Sequence, residues 1–464
     1  MKIKLTYKLS RREIESITQC IVCTAKSEYL DSIATHSSEV TEGTLFLALQ
    51  GTRGHGEDFR DEVLARGGCL LTDRPGENSF TVSSVIDALF ALASAHLARL
   101  SSRRYTIAIT GSVGKTTTKE MLRRMLSGRY RTHATEGNQN SEIGLPLTIL
   151  SAPIDTELLI LEMGMNHRGE IARLSRLTKP DRILITNIGH AHIGNLGSRT
   201  AIAEAKKEIL LGAAEDAKIL IPANEPLLAD IPNAEKIGLF SEVGDHALIP
   251  SKGAEGGHTL LVQGKEILQI PHSIHDKGLL AAMAFATVTA LNLGTPPHFI
   301  FDIISKFDTN IFRQNRFVRN KKEIVFDAYN ASPESVLCAI DSLRREPRRA
   351  HALVLGDMME LGDQANNLHR AIGGACAAAR DSIDLLFLFG AHAPLVAEGA
   401  IAEGFCKNRI FINTDETRPD VTAEAILKNA STEACIWIKG ARSMRMERIL
   451  KILTSNESDN DHAG

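Results

Sequence analysis

Chemistry first shows in the stretch TGSVGKTTTKEML, Thr110 to Leu122, where Gly111, Gly114, Lys115 and Thr116 stand within six positions. Residues of these types in this order build a phosphate cradle. The glycines let backbone N–H groups close around phosphate oxygens, and a helix opening just beyond them favours negative charge at its N-terminus. On this reading Gly111, Ser112, Val113 and Gly114 form the loop. Lys115 sits on the β- and γ-phosphates, Thr116 offers its hydroxyl to Mg²⁺, and Thr117 completes the first contact turn. The loop is short. The common form G-x-x-x-x-G-K-[ST] would place a glycine at 109, and Ile109 stands there. The bland alternative is a chance GKTT in a helix-capping turn. The strand-like YTIAIT before it (Tyr105 to Thr110) and the helical Lys115–Ser127 after it argue against that.

Two further residues could hold a cation. Glu162 closes the apolar run ELLILEMG, where a buried carboxylate is costly unless it binds positive charge. His192 follows the C-terminal end of the next apolar run, DRILITNIG, which is the usual ligand position in a parallel sheet. Taken alone, each has an ordinary reading, as a helix cap or as a satisfied loop imidazole.

These residues need elements to position them. At 464 residues the chain is long enough for two or three domains. Residues 1–102 form a first block. In it SEVTEGTLFLALQG reads as a turn into an apolar strand, and SVIDALFALASAHLARL carries apolar residues at helical spacing. From 103 to 307, YTIAIT, ELLILEMG, DRILITNIG and AKILIP alternate with helical stretches, which predicts a parallel sheet with helices on both faces. From 308 to 464, EIVFDAY, HALVLGD, LLFLFG and CIWIKG repeat the pattern, as in a second, smaller Rossmann-like sheet. The polar tail from about 455 is expected to be disordered. The predicted fold class is α/β in three domains.

Composition narrows the function. Lys plus Arg numbers 53 against 56 for Asp plus Glu, so no basic surplus points to nucleic acid. The N-terminal stretch has no apolar core of signal-peptide length and no later run approaches the length of a membrane span, so a cytoplasmic location without membrane insertion is expected. The seven cysteines are scattered and odd in number, as in a reducing compartment. Cys20 and Cys23 have C-x-x-C spacing but no second ligand pair nearby, so ordinary packing is expected of them.

The shortened loop T-G-S-x-G-K-T-T-T-K resembles that of the Mur ligase superfamily, the ATP-dependent amide-forming enzymes of peptidoglycan stem-peptide assembly. EGNQNSEIGLPLTIL, LEMGMNHRGEI and ITNIGHAHIGNLGSRTAIAEAKKEIL are similar to segments of its MurF family. So are FDAYNASPES, VLGDMMELG and WIKGARSMRMER. The match runs through about three quarters of the chain, by the motifs quoted. The resemblance implies ligation of D-alanyl-D-alanine to UDP-N-acetylmuramoyl-tripeptide through an acyl phosphate. It implies ATP and two Mg²⁺ ions as cofactors, and a monomer is expected. The N-terminal domain would then hold the UDP end of the substrate, the central one ATP, and the C-terminal one the dipeptide.

The resemblance also assigns residues. Glu162 and His192 become Mg²⁺ ligands beside Thr116. Lys206, placed by its spacing to Glu208, becomes a lysine carbamylated by CO₂ that holds the second ion, although two adjacent lysines on a helix ordinarily make a solvated face. With Lys115 and His192 it makes up the implied catalytic set. Asn138 and Asn140 would approach the phosphates or the substrate. Arg316 and Asp327 would contact ATP after domain closure, with Arg313 the rival for the arginine.

The sequence departs from the family pattern in two places. The signature S-T-D-S-R-x-V appears as ATHSSEV, with His36 for Asp, Ser38 for Arg and Ser37 retained, and D-G-H-x-F appears as HGEDF, His55 to Phe59. H-N-x-x-N-x-x-A-A appears only as HDKGLLAAM from His275. These departures fall on the uridine and adenine grips, not on the triphosphate loop. Two alternatives stay open: a P-loop NTPase without ligase activity, and a related amide ligase such as a folylpolyglutamate synthase.

Overall fold

The computed structural model describes residues 1–51, 54–102, 104–251, 257–271, 274, 276–306, 315–319, 322–328, 330–345 and 350–455. Its strands gather into three sheets. The first lies within residues 1–102, in the order Lys2–Ser10, Tyr29–Ala34, Thr44–Leu47, Cys69–Thr72, Ser79–Thr81 and Val22–Cys23. Its four inner strands run parallel and both edge strands antiparallel. Thr44–Leu47 and Cys69–Thr72 are buried at every position, which is why they read as unbroken apolar runs. Helix Val85–Leu97 opens at Ser84, whose Oγ accepts the N–H of Asp87, and it packs on helix Gly144–Leu150 of the next unit. Cys20 and Cys23 are free thiols. Burial pushes Cys23 up to about 11, the opposite of what a metal-binding thiolate needs.

The second sheet has nine strands. The order is Lys265–Ile270, His258–Val262, His246–Pro250, Glu235–Leu239, Lys218–Pro222, Arg182–Ile185, Tyr105–Thr110, Leu158–Glu162 and Thr132–Ala134. From His246–Pro250 onward the strands are parallel, as the β/α alternation predicts. The first two extend the sheet antiparallel, so the sheet is mixed and not purely parallel. These added strands are short and half-exposed, without the apolar runs that mark the others. Helix Lys115–Leu126 packs against helix Lys277–Asn292, which is apolar on nearly all sides and buried accordingly.

The third sheet has six strands, ordered Asn315–Arg319, Lys322–Asp327, Cys435–Lys439, His351–Gly356, Leu385–Phe389 and Ile410–Asn413. All but the first run parallel. One continuous apolar core joins the three units. It runs from Ile33 and Phe80 through Leu145 and Leu161 to Val325 and Trp437. Arg313, His275 and the tail beyond Ser455 lie outside the described residues.

Candidate functional site

Three neighbouring parallel strands, Arg182–Ile185, Tyr105–Thr110 and Leu158–Glu162, end side by side, and the chemistry-bearing residues lie at or just beyond their C-terminal ends. The loop after Tyr105–Thr110 needs its glycines for different reasons. Gly111 has φ +149°, and a Cβ there would fall 1.9 Å from Thr186 Oγ1. Gly114 has φ +84° and is the N-cap of helix Lys115–Leu126, with open space where a Cβ would go. Only residues without a side chain satisfy the first position, and the second favours them through its backbone.

Above the loop lies a cavity of about 820 Å³, walled by the central and C-terminal units. Ser112 to Thr117, Asn138, Asn140, Glu162 and His192 line it from the central side, and Asp327, Asn330 and Lys439 line it from the other. Lys115 folds back to donate from Nζ to the Gly111 carbonyl at 2.6 Å. Desolvation lowers its pKa, and the charge of Glu162 opposes that shift. Glu162 is 2% exposed. Its two oxygens accept from Thr116 Oγ1 and Asn140 Nδ2, each at 2.8 Å. A carboxylate aimed this way keeps lone pairs turned to the cavity, as a hard cation requires.

Lys206 and Lys207 part company. Lys207 is on the outer face of helix Arg199–Lys207, paired with Glu204 at 3.1 Å and Asp230 at 2.7 Å. Lys206 is 2% exposed and makes no hydrogen bond or ion pair among the described residues. Burial first, and then the charge of Lys115, push its ammonium well below lysine's ordinary range. Glu208, the residue that set the spacing, accepts the N–H of Gly169 at 2.8 Å and so ties the end of this helix to the earlier motif LEMGMNHRGEI.

His192 is held in the left-handed region at φ +66°. Its Nδ1 lies 2.6 Å from Glu360 Oε2 of the C-terminal unit, off the hydrogen-bond line. His190 makes the companion contact, Nδ1 to Glu334 Oε1 at 2.5 Å. Ser342 Oγ donates to Asp276 Oδ2 at 2.6 Å across the same junction. Asp327 accepts from Lys439 Nζ at 2.8 Å and faces the cavity. Arg316 pairs with Glu323 on the neighbouring strand at 2.5 Å and is not among the residues lining the cavity.

Motif strings already contained several residues to which no chemistry had been attached. Asn187, in ITNIG, clamps the phosphate loop, and Glu360, in VLGDMMELG, meets His192. Lys439, in WIKG, meets Asp327. Asp357, His369 and His392 bring ligand atoms within 4.8 Å of one another. Both nitrogens of His369 are nonetheless engaged, Nδ1–H by Ala365 O at 2.7 Å and Nε2 by the Met358 N–H at 3.1 Å. That cluster is a hydrogen-bonded brace.

In the fold and the site the chain has relatives. Residues 109–251 match the Mur ligase middle domain, and residues 313–442 the Mur ligase glutamate ligase domain. The chain is 35% identical to the UDP-N-acetylmuramoyl-tripeptide–D-alanyl-D-alanine ligase of Bacillus subtilis, over 96% of its own length and 98% of the relative's. With the Escherichia coli enzyme of the same name it shares 31%, covering 92% and 94%. The structure of MurF from Thermotoga maritima in complex with ADP superimposes with a TM-score of 0.77 at 28% identity, covering 91% and 96%.

Proposed function

The chain belongs to the family of UDP-N-acetylmuramoyl-tripeptide–D-alanyl-D-alanine ligases, and from that membership we propose how its residues perform the reaction. The activity is ATP-dependent ligation in peptidoglycan synthesis. A carboxylate and an amine do not condense unaided in water. The terminal carboxylate of the tripeptide therefore takes the γ-phosphoryl group of ATP, and ADP leaves. The amine of D-alanyl-D-alanine then adds to the acyl phosphate, and the tetrahedral adduct expels phosphate.

The observation that carries this reading is the grouping of Lys115, Thr116 and Glu162 at or just beyond the ends of neighbouring parallel strands, with Lys206 buried on helix Arg199–Lys207 close enough to feel the charge of Lys115. Lys115 and the N–H groups at the start of its helix hold the β- and γ-phosphates. Asn138 lies within reach of the same groups, and Asp327, steadied by Lys439, is placed for the nucleotide. Arg316 is assigned the same partner, which requires it to leave Glu323.

The donor set fits Mg²⁺. Thr116, Glu162 and His192 supply oxygen and imidazole ligands. Lys206 fits a carbamate, because a buried amine beside a second ammonium gains a favourable charge when CO₂ makes it an anion. Bound there, the metal ions neutralise charge developing on the transferring phosphoryl group. The unit of residues 1–102 holds the uridine end, residues 103–307 the triphosphate, and residues 308–464 the dipeptide. The protein acts as a monomer in the cytoplasm.

The test is substrate dependence. Phosphate release from ATP is measured with and without each partner, using tripeptides carrying meso-diaminopimelate or lysine. Turnover is expected only when a UDP-tripeptide and D-alanyl-D-alanine are both present. Turnover with ATP alone would instead identify an NTPase.

A further inference from the structure

The shortened loop is held in shape by residues outside it as well as by its own. Asn187 Oδ1 accepts the N–H groups of both Ser112 and Val113 at 3.0 Å. Its Nδ2 donates to the Val113 carbonyl at 3.3 Å, and Thr186 Oγ1 donates to that same carbonyl at 2.6 Å. The N–H of Gly189 donates to Ser112 Oγ at 2.8 Å. Both clamping residues directly follow strand Arg182–Ile185, which is paired to the strand that feeds the loop.

Two consequences follow for a polyanion. The amides of Ser112 and Val113 are spent on a side chain, so the loop's phosphate donors begin at Gly114 and continue into the first turn of the helix. The Val113 carbonyl is tied down by two donors. If released, the Val113–Gly114 peptide could turn over, because Gly114 tolerates either sign of φ. A turned peptide would aim a carbonyl dipole at the phosphates in place of an N–H, replacing attraction by repulsion.

We infer that Asn187 and Thr186 are positioning residues for the triphosphate: by locking the Val113–Gly114 peptide they keep the shortened loop presenting donors and not an acceptor. This rests on the reading of the loop as the ATP site. The two residues act through the loop backbone, so their loss should fall on nucleotide affinity more than on the fold or the uridine substrate.

The experiment compares wild type, Thr186→Val, Asn187→Leu and the double variant by calorimetric titration with ATP and with the UDP-tripeptide. Lys115→Ala serves as control. Thr186→Val is near-isosteric and removes one bond to the Val113 carbonyl. It should weaken ATP roughly tenfold, and Asn187→Leu by more, while the UDP-tripeptide constant stays within about twofold. The double variant should lose less than the product of the single losses, because both residues act on one carbonyl. In ¹⁵N spectra of the ligand-free protein, the Val113 and Gly114 amides should show exchange in the variants only. ATP affinity unchanged in both single variants would overturn the inference, as would equal losses for ATP and the UDP-tripeptide. If wild type itself does not bind ATP, or Lys115→Ala binds it normally, the reading of the site fails instead.

Discussion

Lys206 is buried within the electrostatic reach of Lys115, whose charge adds to burial in pushing the Lys206 ammonium well below its ordinary range, while Lys207, one residue on, faces outward to Glu204 and Asp230. Two like charges near each other away from water repel, which disfavours the ammonium form of Lys206. A carbamate on Lys206 reverses the sign of that interaction. Lys206→Ala is expected to abolish nearly all ligase turnover, and added formate or acetate to restore part of it by filling the vacated ligand position. Lys207→Ala removes two ion pairs with the exposed Glu204 and Asp230 and should leave the rate within about twofold. Equal losses in steady-state assays of the two variants would remove the carbamate from the account.

Lys115→Ala should lower turnover roughly tenfold or more, since its ammonium meets charge that develops on the phosphates. The ligand-free fold gives up the bond to the Gly111 carbonyl and a longer one to the Ser112 carbonyl, and relieves a charge near Lys206. The melting temperature should therefore hold or rise. A melting temperature that falls in step with activity would make Lys115 a structural residue.

Gly111→Ala tests the loop backbone directly. The added methyl carbon meets Thr186 Oγ1 at 1.9 Å, in a conformation that favours glycine. Relieving such a contact costs about 1–3 kcal/mol and displaces the residue that holds the Val113 carbonyl. Chemical denaturation should show the stability loss, and ATP titration a loss of affinity. Gly114→Ala, with open space at its Cβ, should cost less stability.

How much of this was legible in the sequence depended on whether a residue's signal was local. The phosphate loop was legible because its glycines, lysine and threonine are adjacent, and the strand and helix flanking it follow from periodicity. Glu162 stood out as an acid closing an apolar run, which few structural reasons permit. Lys206 was different. Its helix pattern gave a solvated face, and only the family spacing chose it over Lys207. Asn187 stayed silent because its partners are some 75 positions away in the chain, a distance no local pattern spans. The pairs His190–Glu334 and His192–Glu360 stayed silent for the same reason, joining separate units. The antiparallel strands His258–Val262 and Lys265–Ile270 were missed because half-exposed strands at a sheet's margin lack a long continuous apolar run.

Acid should weaken the central sheet through Glu235. Glu235 meets Arg182 at 2.8 Å and His246 at 3.2 Å. Burial raises its pKa, but His246 and Arg182 outweigh that and bring it down to about 2. The folded-state value thus lies below the unfolded one, so this stabilisation is complete above the ordinary carboxylate range, near 4.5, and is lost as pH falls toward 2. Glu235→Gln should cost about 3 kcal/mol at neutral pH, leaving Arg182 buried without its anion. The variant's melting temperature should also change less than the wild type's between pH 5 and 3, at values within roughly a pK unit either side of the ordinary carboxylate range. Parallel acid melting curves would count against the network.

The most direct measurement follows an oxygen atom. The UDP-tripeptide is prepared with ¹⁸O in its terminal carboxylate and turned over with ATP and D-alanyl-D-alanine, and the released phosphate is weighed by mass spectrometry. If the cleft of Lys115, Glu162 and Lys206 activates the carboxylate by phosphorylation, one labelled oxygen leaves with each phosphate and the other stays in the new amide. Phosphate free of label, alongside normal formation of the pentapeptide, would show that no acyl phosphate is made.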